Sequence, residues 1–514
     1  MKAPLSNPRT SSGSAFMCAH RLPVLAGRAL ACGLGLAMAG CAAGPNFKPP
    51  AAPSVHAYTA QPLRAVAATP GTAGGAPQRF ASGADVAGDW WTLFGSQPLD
   101  ALVKRALAHN HDLAAAQAAL RVAHEDVLAQ RGSFFPSVSA GFGASREKAA
   151  GVLAPVPNFP EVPQEFRYSL FTPQLSISYA PDLFGLNRRT REALLAEEQV
   201  ARFQMLAAWT TLTTNVVVTA VQAAALREQV DATRKLVALE KHSLAILQLR
   251  FRHGDASRLD VAAQRAQLAQ TEAGLPSLVK QLAATRHALD VLVGVFPDAP
   301  TPRLTLASLH LPRQLPVSLP SRLVAQRPDV RAARAELHAA SAAIGIAAAE
   351  RLPQIDLTAD AGSTALEISK VFGSGTGFWG LAASLTAPIF EGGALLHQER
   401  AAKAAYVQAA QQYRQTVLLA FENVADTLVA LQQDGKALQA TATAAHAAKT
   451  TLDLSRLQLR HGAIGTFELL AAQQAYQQAR MTLAAAEAER FADTAALYQA
   501  LGGGWWHHKK LARQ

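Results

Sequence analysis

Cysteine is almost missing from this chain. Its three copies, Cys18, Cys32 and Cys41, all lie in the first 41 residues. Beyond that point no disulfide framework and no thiolate metal cluster can be built. Aromatic residues make up only 6%, and alanine, leucine and glutamine dominate instead, a composition that favours long helices over a compact mixed core. No run of 18 apolar residues follows Cys41, so no membrane-spanning helix is expected. That leaves transmembrane strands open, because their sequence signal is much weaker. A dense basic stripe with interleaved aromatics is lacking too. The formal charge is +11, but Lys2, Arg9, Arg21 and Arg28 precede Cys41 with no acid among them, which leaves +7 spread thinly over the rest. Nucleic acid is therefore not an expected partner. There is no HExxH, no paired cysteine ligand and no nucleophile elbow, so neither an enzyme nor a cofactor is expected.

What is present begins with an export signal over residues 1–40. A basic region ends at Arg28, an apolar stretch runs from Ala29 to Ala39, and small residues precede Cys41. Leu36-Ala37-Met38-Ala39-Gly40-Cys41 looks like a bacterial lipobox, which implies acylation at Cys41. Ala42 follows, not the aspartate that marks retention in the inner membrane. Each buried CH₂ of an acyl chain adds about 0.8 kcal/mol of membrane affinity.

The body of the chain is duplicated. Arg252-His253-Gly254 and the helical pattern up to Gly294 return as Arg460-His461-Gly462 and the pattern up to Gly502, at a constant offset of 208 residues. Residues 41–96 read as an extended arm and 97–294 as the first repeat. A Pro-rich linker fills 295–320, the second repeat 321–502 and a C-terminal tail 503–514. Each repeat holds a helix, a pair of strands and a long helical hairpin. In the first, Gln97–Asn110 and Asp112–Ser133 read as helices. Val138, Ala140, Phe142 and Ala144, then Leu175, Ile177 and Tyr179, alternate with small and polar residues, so a β-hairpin is expected at about 137–180. From about Leu186 to Arg250 a helix-compatible pattern runs without proline or glycine, roughly 100 Å at 1.5 Å per residue. In the second, a helix opens at Arg327-Pro328-Asp329 and a β-hairpin is expected at about 354–388. A long helix with a seam at Tyr406, Ala410, Tyr413, Val417, Phe421, Val424, Leu428 and Leu431 then ends near Arg460. The helix-to-helix tips fall near 252–256 and 460–465.

Four amphipathic strands cannot close a barrel, and in a bilayer every backbone polar group must be paired. Bacterial barrels start at about eight strands. The strands therefore require several chains; three would give a 12-stranded barrel, extended by the long helices as a hollow tube. At this point the residues reach a known family. The order of elements resembles the trimeric outer-membrane efflux channels, the lipoprotein branch of the outer-membrane factor family. The matching segments are Cys41-Ala-Ala-Gly-Pro-Asn-Phe, Pro181-Asp-Leu-Phe-Gly-Leu-Asn-Arg-Arg, Leu319-Pro-Ser-Arg-Leu-Val-Ala-Gln-Arg-Pro-Asp-Val-Arg, Ala387-Pro-Ile-Phe-Glu-Gly-Gly and Leu501-Gly-Gly-Gly-Trp505. The resemblance covers nearly all of residues 41–506. It implies a mainly α fold with a small β part: a homotrimer with a β-barrel in the outer membrane and a periplasmic α-barrel. It further implies docking to a periplasmic adaptor and an inner-membrane pump, and passage of drugs or small toxic compounds without catalysis. A tunnel for secreted polypeptides shares this architecture. A lipidated periplasmic adaptor would need a lipoyl-like domain and one helical hairpin, where this chain has two.

Candidate functional residues follow from these elements. Gly254 and Gly462 suit the left-handed residue that ends a helix. Arg252 and Arg460 sit in a last turn, where the helix dipole favours cations. With His253 and His461 they mark the adaptor-docking tips. The family narrows its tunnel after the second tip, at positions that fall on Phe467, Ala471 and Gln474. Their spacing puts them on one helical face, but the acid and base of the family pattern are missing. An apolar constriction of Phe467 rings, gating by exclusion of water, is the expectation. Gly375-Thr-Gly-Phe-Trp-Gly380 matches GxGxxG but opens a strand, so a loop is expected there. His109-Asn-His111-Asp112 lies at a helix boundary and reads as capping, not as a metal site.

Overall fold

The computed structural model describes residues 42–55, 57–150, 165–508 and 511. In chain order the elements are β1 (Arg79–Ser82), a 3-10 turn (Trp90–Phe94), α1 (Gln97–His109), α2 (His111–Gly132), β2 (Ser137–Ala150), β3 (Glu165–Tyr179), α3 (Leu186–Arg252) and α4 (Arg258–Val293). There follow β4 (Gln314–Val317), α5 (Pro320–Gln326), α6 (Pro328–Ala349), β5 (Gln354–Ser363), β6 (Gly377–Thr386), α7 (Ala394–Arg460) and α8 (Thr466–Ala500). Both long helices, α3 and α7, have 67 residues. They start and stop at the same 208-residue offset, so the duplication extends over their whole length. No described helix is long and apolar enough to cross a membrane.

Among the described residues there are six strands where the sequence reading finds four. The additional pair is β1 and β4, which run parallel in register from Arg79↔Gln314 to Ser82↔Val317. Each has only four residues, too few for periodicity to register. They come from the Pro-, Ala- and Gly-rich stretches that read as arm and linker.

Two compact units emerge. The first takes residues up to Phe47 together with 127–193 and 340–405. Its centre is a four-stranded antiparallel sheet of order β2-β3-β5-β6. The registers put Val138, Ile177, Ala359 and Leu381 in one row across all four strands, and Ala140, Leu175, Ala361 and Trp379 in another. The rows between them carry Ser137, Ser178, Thr358 and Ala382, and Ser139, Ser176, Asp360 and Gly380. Because successive side chains point to opposite faces, one face is apolar and the other polar. On the polar face the Ser176 hydroxyl donates to Asp360 Oδ1 at 2.6 Å. On the apolar face Val138, Trp379, Leu381 and Leu385 are exposed. Among the described residues the outer edges of β2 and β6 have no strand partner.

The second unit takes residues 48–126, 194–339 and 406–511 among those described. Its core gathers the scarce aromatics. Trp90 stacks on Tyr498 at 5.1 Å, Trp91 meets Trp209 edge-on at 5.9 Å, and Arg331 lies 4.3 Å above the Phe203 ring. Of the seam of α7, Tyr413, Val417, Val424, Leu428 and Leu431 are buried, while Tyr406, Ala410 and Phe421 are half-buried. Arg327, from the most specific sequence segment, is a structural tie. It donates to both oxygens of Asp329, at 3.0 and 2.6 Å, and to the Ala500 carbonyl at 2.9 Å. The bidentate charge-assisted pair with Asp329 holds the guanidinium at the start of α6, and its bond to the Ala500 carbonyl ties that start to the end of α8.

Candidate functional site

The two helix-to-helix turns are built alike. At the end of α3, Asp255 N–H donates to Arg250 C=O at 2.9 Å and Gly254 N–H to Phe251 C=O at 3.1 Å. At the end of α7, Ala463 N–H donates to Gln458 C=O at 2.9 Å and Gly462 N–H to Leu459 C=O at 3.1 Å. This pair of bonds is the Schellman closure, with its left-handed residue at the glycine. Gly254 has φ +83° and Gly462 φ +72°, and nothing lies within 4 Å of a side chain added at either. Backbone conformation, not crowding, therefore calls for glycine. Arg252, His253, Arg460 and His461 are all exposed, so the structure presents both Arg-His-Gly triplets to solvent at the turns.

The return helices begin differently. Ser257 caps α4: its hydroxyl accepts from Asp260 N–H at 3.0 Å, and Asp260 accepts from Ser257 N–H at 3.0 Å. This reciprocal capping box satisfies two otherwise orphaned donors. At the equivalent position α8 has Gly465, which has no side chain to cap with. Two residues past each cap an apolar side chain is left bare, Leu259 at 77% exposure and Phe467 at 73%. Ala471 and Gln474 are also exposed, and with Phe467 they share one face of α8. No acid–base pair accompanies them.

Some arrangements escaped the sequence reading. In the β unit, Arg189 holds the first described residues. Its guanidinium donates to Ala43 C=O at 2.9 Å, Gly44 C=O at 3.2 Å, Asn46 Oδ1 at 2.9 Å and Glu192 at 2.6 Å. Gly345 makes the fit possible, since a Cβ there would sit 2.8 Å from the Ala43 carbonyl oxygen. Cys41 itself lies outside the described residues. In the helical unit, a strap from the N-terminal stretch is fastened to α8. Glu487 accepts from Ala73 N–H at 3.0 Å, and Arg490 donates to Ala76 C=O at 2.9 Å and Gln78 Oε1 at 3.3 Å. Burial raises the Glu487 carboxyl to about 7, against the Ala73 hydrogen bond, which lowers it. Burial, then the hydrogen bond and charge of Asp493, raises Asp434 to about 7 as well. A strap of this kind pairs residues more than 400 positions apart, so no local pattern announces it.

The residues singled out as decoys behave as the sequence suggests. Asn110 Oδ1 accepts from Leu113 N–H at 2.9 Å and caps α2. Gly377 opens β6, so the GxGxxG run leads into a strand.

The profile of outer membrane efflux proteins matches residues 102–295 and 319–503, once on each half of the chain. The chain belongs to the outer membrane efflux protein family. Its function is that of an outer-membrane exit duct for efflux. A pyoverdine export outer membrane protein of Pseudomonas putida is 31% identical, over 81% of this chain and 88% of the relative. The outer membrane protein OprJ of Pseudomonas aeruginosa is 27% identical over 93% and 96% of the two chains. Among solved structures, the open state of the MtrE outer membrane channel of Neisseria gonorrhoeae superimposes with a TM-score of 0.75 at 25% identity, covering 90% of this chain and 98% of that one. The efflux protein described here shares the helix-and-strand arrangement of that channel over 90% of its length.

Proposed function

We propose that three copies of this efflux protein join their sheets edge to edge into a 12-stranded barrel in the outer membrane. The observation that carries the reading is the four-stranded sheet itself, with one apolar face and two unpaired edges. Such a sheet is stable in lipid only when its edges are closed. Acylation of Cys41 adds a lipid anchor on the periplasmic side, and the helical unit extends into the periplasm. The exposed tips at Arg252–Gly254 and Arg460–Gly462 dock a periplasmic adaptor, which couples the duct to an inner-membrane pump. No chemistry occurs in the duct. The cargo is a drug or another small toxic compound; one relative is a pyoverdine export protein. The polypeptide-tunnel alternative is separated by cargo alone.

Phe467 supplies the constriction. Three rings brought together after the second tip form an apolar collar that excludes water when closed. Phe467→Ala is expected to raise single-channel conductance in planar bilayers, and unchanged conductance refutes the collar. A bulky residue at Gly254 or Gly462 is expected to impair efflux; intact trimers with normal efflux refute tip docking.

A further inference from the structure

Three arginines meet where the first helical hairpin closes away from its tip. Arg227 on α3, Arg286 on α4 and Arg303 on the segment after α4 all line one cavity, together with Ala220, Ala223 and Ala224. Among the described residues no hydrogen bond and no salt bridge reaches any of the three guanidinium groups. The acid that acts on Arg227 is Asp231, one turn further along α3. Asp231 is itself 3.7 Å from Arg234 on the solvent side. Arg286 and Arg303 oppose the charge on Arg227, after burial, which opposes it most. Arginine does not escape such repulsion by losing its proton. Like charges gathered around a cavity make a site whose missing member is an anion.

We propose that Arg227, Arg286 and Arg303 form a binding site for a small oxyanion, a phosphate or carboxylate group entering end-on. Guanidinium forks match the paired oxygens of both groups. The size of the cavity sets the manner of entry. Its free volume is 20 Å³, room for about one water-sized group, so the terminal oxygens enter while the remainder of a larger ligand stays outside. The same position in the second repeat shows that the site is particular to the first: Arg286 corresponds to Thr494, a buried residue under the N-terminal strap. The proposal is independent of how the channel is gated.

Thermal unfolding of the full-length protein in detergent tests it, with inorganic phosphate or acetate titrated against chloride at equal ionic strength. Phosphate, acetate or both are expected to raise the melting temperature and saturate, where chloride does not; which of them acts identifies the oxyanion class. Arg286→Gln and the exposed Arg303→Gln are expected to shift half-saturation upward by about tenfold or more. In chloride alone the Arg303→Gln protein is expected to melt no lower than the unchanged one, because a repulsive charge has gone. Equal responses to chloride and to both oxyanions, or an unaltered oxyanion response in Arg303→Gln, overturn the proposal.

Discussion

The return helices α4 and α8 descend from one pattern and have different fates. In α8 the stretch from Leu483 to Ala500 is largely buried, whereas in α4 burial near the same end is limited to Leu289, Asp290 and Val293. Leu483 and Ala486 pack with Leu438 and Ala445 of α7, Tyr498 and Phe491 meet Trp90 and Phe94, and the N-terminal strap covers more of the helix. The strap lies on α8 and is held by Glu487, Arg490 and, through Gln78, Thr494. At the 208-residue offset α4 carries Val279, Leu282 and Arg286, and the structure gives it no such strap. On α7 the strap also needs Gly435, where a Cβ would sit 2.2 Å from Val66 Cγ1. Duplication therefore supplied two similar hairpins, and an unrepeated segment straps one of them and not the other.

The sharpest way to break that contrast is at Arg490, which has 0% exposure. Arg490→Ala is expected to cost about 3–5 kcal/mol, because it strips the donor from Ala76 and Gln78 and leaves a buried gap. Leu282→Ala, its counterpart on the partly exposed helix, is expected to cost roughly 1 kcal/mol. Denaturant unfolding of both variants measures the difference, and equal losses would mean the strap contributes little.

The next effect depends on pH. The folded Glu487 carboxyl sits at about 7, above its ordinary 4.5, so folding binds a proton between those values. Stability from this group is full below about 4.5 and falls as pH rises through 7. Glu487→Gln is expected to remove that fall and to be the more stable form at pH 8, by about 1–3 kcal/mol. The raised Asp434 adds a trend of the same sign, so the quantity to read is the difference between the two proteins. Parallel pH profiles would show that Glu487 does not titrate in this range. Val279, its counterpart, has no proton to exchange.

The smallest effect is at the tips. Ser257→Ala is expected to lose about 1 kcal/mol of local stability, while Gly465→Ser gains only a few tenths. Hydrogen exchange of the amides in the first turns of α4 and α8 reports each change. Identical protection before and after both substitutions would show that the caps make no difference between the two tips.

Much of this architecture is written locally. The alternation at Val138–Ala144 and Leu175–Tyr179, the glycines after each Arg-His pair, and the apolar seam of α7 each follow from a period or a conformational need of a few residues. The turns that follow Arg252 and Arg460 were legible for the same reason, whereas the 73% exposure of Phe467 was not. The two short parallel strands, the Arg189 clamp and the buried Glu487–Arg490 row were not. Each joins residues far apart in the chain; the strands are too short to show a period, and Arg189, Glu487 and Arg490 are residue types that read as solvated surface when seen singly. Arg327 shows the opposite case: its segment is the most recognisable in the sequence, yet its side chain serves as a tie between helices.

The central claim is that one chain supplies an incomplete barrel which only several copies can close. The most direct test is the mass of the detergent-extracted protein, measured together with its conductance in planar bilayers. A trimer that opens small, mostly closed pores is the predicted result. A monomer without pore activity would contradict the account.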